Sequence, residues 1–151
     1  MVSESRRDVM PGDRPLALIL VGTVDRRVLP ALSLAASLPD FDVKAVHVSV
    51  DPVATSRLAR EWMRLDLAWV PLHIEDACDE PLATSVRRLV ERELSSHRRV
   101  LVIVPEVDLD RWWQTLLHRS TGRRIARRLQ ALRRVSTVVV PYPIVLSDAL
   151  G

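Results

Sequence analysis

The sequence has one cysteine, Cys78, one lysine, Lys44, four glycines and few aromatic side chains. A single cysteine cannot form an internal disulfide, and no cluster of cysteine or histidine surrounds it at zinc-binding spacing. Acidic neighbours oppose a reactive thiolate at Cys78, so we expect a small buried or half-buried residue. These scarcities exclude a disulfide-stapled domain and a zinc finger.

Long apolar runs are missing too. No uninterrupted apolar segment approaches the roughly 20 residues that cross a bilayer, and residues 1–15 lack the hydrophobic region of a signal peptide. We therefore expect a cytoplasmic protein that does not insert into a membrane.

Catalytic patterns are equally scarce, because the sequence offers no nucleophile–base arrangement, no paired-carboxylate motif and no HExxH-type sequence. The sequence thus predicts neither an enzyme nor a metal site.

The length suits one domain with its own core. Residues 1–14 combine Ser, Arg, Asp, Pro and Gly without an apolar period, which predicts a flexible arm. We expect the folded domain over residues 15–145 and a C-terminal tail over residues 146–151. Residues 1–5 read as a natural N-terminus, so we expect a free-standing protein.

Within the domain, apolar runs alternate with helical patterns. Strands are predicted at residues 16–21, 43–50, 68–74, 100–104 and 135–140. Apolar residues at helical spacing separate them, with further helical material in two pieces at residues 112–134. Strands without in–out alternation are buried on both faces, and right-handed crossovers place helices on both sides of their sheet. The pattern predicts an α/β fold with a doubly wound, five-stranded parallel sheet.

In such folds ligands bind at the carboxyl ends of the strands, near the switch in strand order. Gly22, Thr23 and Asp25 follow the first predicted strand, and Asp51 follows the second. Either aspartate could hydrogen-bond ribose or base atoms. Helix capping or a turn explains each of them equally well.

A second polar group stands ahead of the last predicted helix and comprises His118, Arg119, Ser120 and Thr121. Exposed N–H groups and the helix dipole at that place favour an anion. A hydroxyl can also simply cap the helix, and both readings stay open. His118 and His47 lack a partner at metal spacing, which favours a structural role for each.

The helix over residues 123–134 has an apolar stripe on one side and arginines on the other. No aromatic or amide side chains are interleaved with those arginines, so we expect a solvated face and no nucleic-acid binding. The preceding pair Trp112 and Trp113 points in two directions on a helix, and core packing is the favoured account over a contact surface.

Four segments resemble a known group of proteins: residues 45–52 (AVHVSVDP), 104–106 (VPE), 112–118 (WWQTLLH) and 138–143 (VVVPYP). They are similar to the universal stress protein superfamily and, more closely, to the cytoplasmic C-terminal domain of potassium-uptake permeases of the amino acid–polyamine–organocation (APC) transporter superfamily. The resemblance runs from about residue 16 to residue 143. It implies strand order 3-2-1-4-5, a homodimer formed through the last strand, and a regulatory rather than a catalytic role.

The resemblance also implies a ligand, since the permease domains are associated with gating by cyclic di-AMP and other superfamily members bind ATP. We therefore expect a non-enzymatic domain that senses cyclic di-AMP, ATP or AMP, or acts on a cation or amino-acid transporter, and that requires no cofactor. Gly22, Thr23, Asp25 and Asp51 would form the base and ribose side. Residues 118–121 would form the phosphate side.

The pairing surface is predicted at the last strand. Val138, Val139 and Val140 form an apolar strand at the sheet edge, with Tyr142 just beyond, and such an edge can associate with its own copy.

Two alternatives stay open. One is an interaction module without a small ligand, acting through the last strand, Trp112 and Trp113, and the arginine helix. The other is a nucleotide-hydrolysing enzyme, which would need a metal site that the sequence does not show and ATP turnover that depends on Glu106 or Asp108.

Overall fold

The structure, a computed structural model, describes residues 13–22, 24, 28–77, 80–105 and 134–140, without the side chains of Leu82, Ala83 and Val139. Strands and helices alternate along these residues. Their bounds are β1 (Leu16–Leu20), α1 (Leu29–Ser37), β2 (Asp42–Ser49), α2 (Pro52–Arg64), β3 (Leu72–Asp76), α3 (Leu82–Ser96), β4 (Val100–Pro105) and β5 (Val135–Val140). The predictions for Cys78, for most of residues 112–134 and for the tail at 146–151 fall outside the described residues.

The five strands form one parallel sheet in the order β3-β2-β1-β4-β5. The α/β fold, the parallel sheet and its strand order are therefore confirmed. Strand β1 lies at the centre, paired with β2 on one side and β4 on the other, and all five of its residues are buried. A strand covered on both faces gains most from a continuous apolar sequence, which Leu-Ala-Leu-Ile-Leu supplies.

Alternate residues of β1 belong to two separate cores. Ala17 and Ile19 pack with apolar residues of α1 and α2, whereas Leu18 and Leu20 pack with apolar residues of α3. Successive side chains of a strand point to opposite faces, so this division means that α1 and α2 cover one face of the sheet and α3 covers the other. The doubly wound arrangement predicted from the sequence is thus present.

The prediction for β3 was wrong at both ends, because the strand runs from Leu72 to Asp76 and not over residues 68–74. The residues before it form a turn, in which the Val70 amide donates to the Leu67 carbonyl at 3.0 Å. The indole of Trp62, buried on α2, donates to the Val70 carbonyl at 3.3 Å and holds that turn against the helix. The apolar residues of the turn therefore serve the core without being strand.

The only lysine of the chain joins β2 to α3. The Lys44 ammonium lies 2.6 Å from the carboxylate of Glu93, which is only 8% exposed. His97, just after α3, lies 3.4 Å from both Glu93 Oε2 and Asp42 Oδ2. A buried carboxylate is costly unless it is paired, so this cluster fixes the end of α3 over the start of β2.

No helix in the described part of the chain has both the length and the hydrophobicity of a membrane span.

The carboxylate of Glu75 on β3 has two nitrogen partners. Arg92 Nη2 lies 2.8 Å and His73 Nε2 lies 3.0 Å from Glu75 Oε2. Burial by itself raises the pKa of Glu75, but the hydrogen bonds and charges of His73 and Arg92 together outweigh burial and hold that pKa below its usual value. Folding thus favours the ionised form of Glu75.

A lowered pKa in the folded state makes stability depend on pH. The contribution of Glu75 to the free energy of unfolding is complete above the pKa of Glu75 in the unfolded chain, about 4.5. It is lost as the pH falls through the lower pKa of Glu75 in the folded state. We expect Glu75→Gln to lose less stability than wild type between about pH 6 and pH 3 in urea unfolding. Glu91→Gln, in an exposed pair with Arg87, is the control and should retain the wild-type slope. Equal slopes in wild type and Glu75→Gln would contradict this assignment.

Candidate functional site

The carboxyl ends of the strands lie at one edge of the sheet, here called the carboxyl edge: Leu20, Ser49, Asp76, Pro105 and Val140. From β1 the chain runs through α1 to β2 and through α2 to β3, and α3 on the opposite face then leads to β4 on the other side of β1. The strand order therefore switches between β1 and β4. In open parallel sheets a crevice forms at such a switch point.

Gly22 follows β1 at this switch point, as the sequence predicts, and is partly exposed. Thr23 and Asp25 lie outside the described residues, as do all of residues 118–121, which were assigned to the phosphate side. The structure therefore places Gly22 and Asp51 at the carboxyl edge. Nucleotide binding by these residues and by the rest of the site remains a prediction.

Asp51 follows β2 and caps helix α2. Its Oδ1 accepts a hydrogen bond from the Val53 amide at 2.9 Å, and its carbonyl accepts from the Thr55 amide at 3.0 Å. Pro52 at the first helical position has no N–H to satisfy. Of the two readings left open, capping is thus present. The carboxylate also puts a negative charge at the start of α2, which disfavours a phosphate there.

His47 joins three elements beneath the carboxyl edge. Its Nδ1 lies 2.8 Å from the carbonyl of Val21, just after β1, and donates to it because a carbonyl can only accept. Its Nε2 lies 3.1 Å from Oγ1 of Thr55 in the first turn of α2. The Thr55 hydroxyl lies 2.7 Å from Ser49 Oγ at the end of β2. His47 therefore fixes the end of β1 relative to β2 and α2.

The predicted structural role of His47 is confirmed, since the ring is buried and both nitrogens are used inside the fold. The sequence analysis did not single out Ser49 or Thr55. His47 and Ser49 alternate along β2 and so share its face, and Thr55 stands one turn into the following helix. The alternation of residues along β2, together with the position of Thr55 in the first turn of α2, could have indicated this cluster from the sequence.

Among the described residues no three His, Cys, Asp or Glu side chains come together as a metal-binding group.

The predicted pairing strand β5 lies at the end of the sheet and pairs with β4. The side chain of Val138 is 36% exposed, whereas Val140 packs against the core on the side of α1 and α2. The side chain of Val139 and all of Tyr142 lie outside the described residues. The geometry supplies an edge strand with an exposed apolar residue, and the homodimer stays a prediction.

If β5 pairs with a second copy, Val138→Glu should shift the protein from dimer to monomer, because the interface would then bury an unpaired carboxylate. Size-exclusion chromatography with light scattering at micromolar concentration measures the change. Val53→Glu, at an exposed valine on α2, introduces the same charge away from β5 and should leave the dimer intact. A monomeric wild-type protein would contradict the pairing.

Thr55→Val removes the hydroxyl that bridges His47 and Ser49 while keeping the shape of the side chain. We expect a loss of about 1–3 kcal/mol in the free energy of unfolding, because buried polar atoms lose their partner. The same substitution at Thr84, exposed on α3, should change stability by less than about 0.5 kcal/mol. Urea unfolding of both variants measures the difference. Equal losses in the two variants would show that the hydrogen bonds among His47, Thr55 and Ser49 do not contribute to stability.

Comparison with known proteins bears on the transporter resemblance. Residues 12–142 match the family described as the KimA potassium transporter C-terminal domain, and the match includes all five strands. None of the curated proteins compared with the chain matches it. The resemblance to universal stress proteins stays a prediction, whereas the transporter-domain resemblance is confirmed. With most of its length matched, the chain belongs to the family of KimA potassium transporter C-terminal domains.

Proposed function

We propose that this protein is a non-enzymatic, cytoplasmic regulatory domain that acts on a potassium transporter and senses an adenine nucleotide at its carboxyl edge. Cyclic di-AMP is the first candidate ligand, and ATP and AMP are the others. The observation that carries the regulatory part is the family match over residues 12–142, because a C-terminal domain of a transporter has the transport machinery elsewhere in the protein.

The nucleotide part is supported by the position of the switch point. The connection after β1 runs through α1 on one face of the sheet, and the connection into β4 runs through α3 on the other face. The carboxyl ends of β1 and β4 are therefore the switch point, where parallel α/β sheets bind nucleotides. Gly22 at the end of β1 has no Cβ, which permits close approach of a ligand to the backbone. His47 holds this position through the Val21 carbonyl.

Asp51 limits how a nucleotide can lie at the carboxyl edge. Its carboxylate occupies the first turn of α2, so phosphate groups are disfavoured on that side, while hydroxyl and amino groups of a ribose or base suit an exposed carboxylate acceptor. In the proposed arrangement the base and ribose lie toward Asp51 and Gly22. The phosphates would be bound by Arg119 and Ser120, which lie outside the described residues.

Isothermal titration calorimetry with cyclic di-AMP, ATP and cyclic AMP tests the nucleotide part. We expect saturable heat with at least one ligand and a loss of affinity of about tenfold or more in Arg119→Gln, because a charge-assisted hydrogen bond to phosphate is removed. Asp51→Asn retains a capping side chain but not the charge, so it should weaken ligand binding with little change in stability.

Arg57→Gln is the matched control for Arg119→Gln, since Arg57 is an exposed arginine of α2. It should bind the nucleotide as wild type does. Absence of heat with all three ligands, in protein shown to be folded by circular dichroism, would contradict nucleotide sensing. An equal loss in Arg57→Gln would contradict a specific role for Arg119.

A second function is favoured by two exposed apolar residues at the carboxyl edge. Val50 and Val53, on either side of the Asp51 cap, are 74% and 68% exposed. Valines this exposed and this close together also suit contact with a protein partner. A domain that gives no nucleotide heat but binds the membrane portion of a transporter, and loses that binding in Val50→Asp, would be an interaction module without a small ligand.

A further inference from the structure

Three arginines gather at the opposite edge of the sheet, just before the starts of the two neighbouring strands β4 and β5. We call this group, Arg98, Arg99 and Arg134, the arginine edge. The carbonyl of Arg99 accepts from the Leu16 amide at 2.8 Å, and the carbonyl of Arg134 accepts from the Val100 amide at 2.9 Å. The register pairs Leu16 with Val100 and Val100 with Val135, so Arg99 and Arg134 directly precede paired positions. Adjacent strands lie about 4.8 Å apart, which brings their positive charges close together.

These three arginines are not neutralised within the described part of the chain. Each is exposed, and none of their guanidinium groups has a carboxylate partner there. Arg14, whose carbonyl accepts from the Arg98 amide at 3.2 Å, is by contrast paired with Asp42 at 3.4 Å.

The nearby acidic residues either lie toward β1 and β2 or already form an ion pair with another residue. Asp42 is shared by Arg14 and His97 at the start of β2, and Asp40 lies in the turn before that strand. Asp13 is exposed next to Arg14. Among the described residues, the β4 and β5 side of this edge therefore has an excess of positive charge.

Exposed arginines at two neighbouring strand starts suit an extended anionic surface better than a single bound ion. Guanidinium groups bind phosphate through a planar fork, and a cytoplasmic membrane leaflet presents a layer of phosphate groups at negative potential. The chain enters the domain at this same edge, since Arg14 and Pro15 directly precede β1. In family members in which such a domain follows the membrane portion of a transporter, this entry is the point that connects the domain to the membrane portion.

We propose that the arginine edge docks on anionic phospholipid headgroups beside the transporter and thereby turns the carboxyl edge toward the cytosol. This inference rests on the proposed association with a transporter but not on nucleotide binding. Three neighbouring arginines at a lipid surface would give weak, salt-dependent attachment that the transporter itself reinforces.

Flotation of the full 151-residue chain with vesicles tests the proposal. Vesicles of phosphatidylcholine with one quarter phosphatidylglycerol are compared with vesicles of phosphatidylcholine alone, without nucleotide, at low and high salt. We expect binding to the anionic vesicles only, lost at high salt, and reduced about 30-fold in the double variant Arg99→Gln/Arg134→Gln. The control Arg57→Gln/Arg60→Gln removes the same charge from exposed positions on α2 and should reduce binding far less.

Equal reductions in the two double variants would overturn the proposal, because binding would then follow net charge and not this edge. Equal binding to neutral vesicles, or binding to an acidic peptide or to nucleic acid without binding to anionic vesicles, would overturn it as well. Nucleotide titration of Arg99→Gln/Arg134→Gln separates the two proposals. Intact nucleotide affinity in that variant, together with lost vesicle binding, supports a membrane role that is independent of ligand sensing.

Discussion

The pairing of β1 with both β2 and β4 is the constraint from which the rest of the structure follows. A central strand buried on both faces forces its side chains into two cores, with α1 and α2 on one face and α3 on the other. The same pairing fixes where the strand order switches. It therefore sets both the switch point at the carboxyl edge and the strand starts that carry the arginines.

The two edges of the sheet differ in chemistry. At the carboxyl edge, the buried His47 ring ties β1, β2 and α2 together, and the Asp51 carboxylate closes the start of α2. The opposite edge has exposed guanidinium groups and the entry of the chain. This polarity is the basis of the proposal that the arginine edge faces the membrane and the carboxyl edge faces the cytosol.

Most of the fold could be predicted because buried parallel strands have apolar sequences: β1 and β4 are continuously apolar, and β2 and β5 are rich in valine. Strand β3 was misplaced because Val70 is just as apolar but packs in a turn under Trp62, a contact decided by tertiary structure. Asp51 could be located at the carboxyl edge from its place after a strand, but capping and ligand binding look alike in sequence. The contacts of His47 with Thr55 and Ser49 could have been indicated by strand alternation and helical phase, but its contact with the Val21 carbonyl joins residues far apart in the chain. The unpaired state of Arg99 likewise depends on tertiary neighbours, so local patterns could not indicate it.

The central claim is that the carboxyl edge, and not the arginine edge, receives the nucleotide. A two-dimensional NMR titration of the ¹⁵N-labelled chain with cyclic di-AMP tests this claim most directly, since each backbone amide reports its own surroundings. The account predicts shifts at Gly22 and at residues 50–53, with the amides of Arg98, Arg99 and Arg134 unchanged. Shifts concentrated at those three arginines, or no shifts in a folded protein, would contradict it.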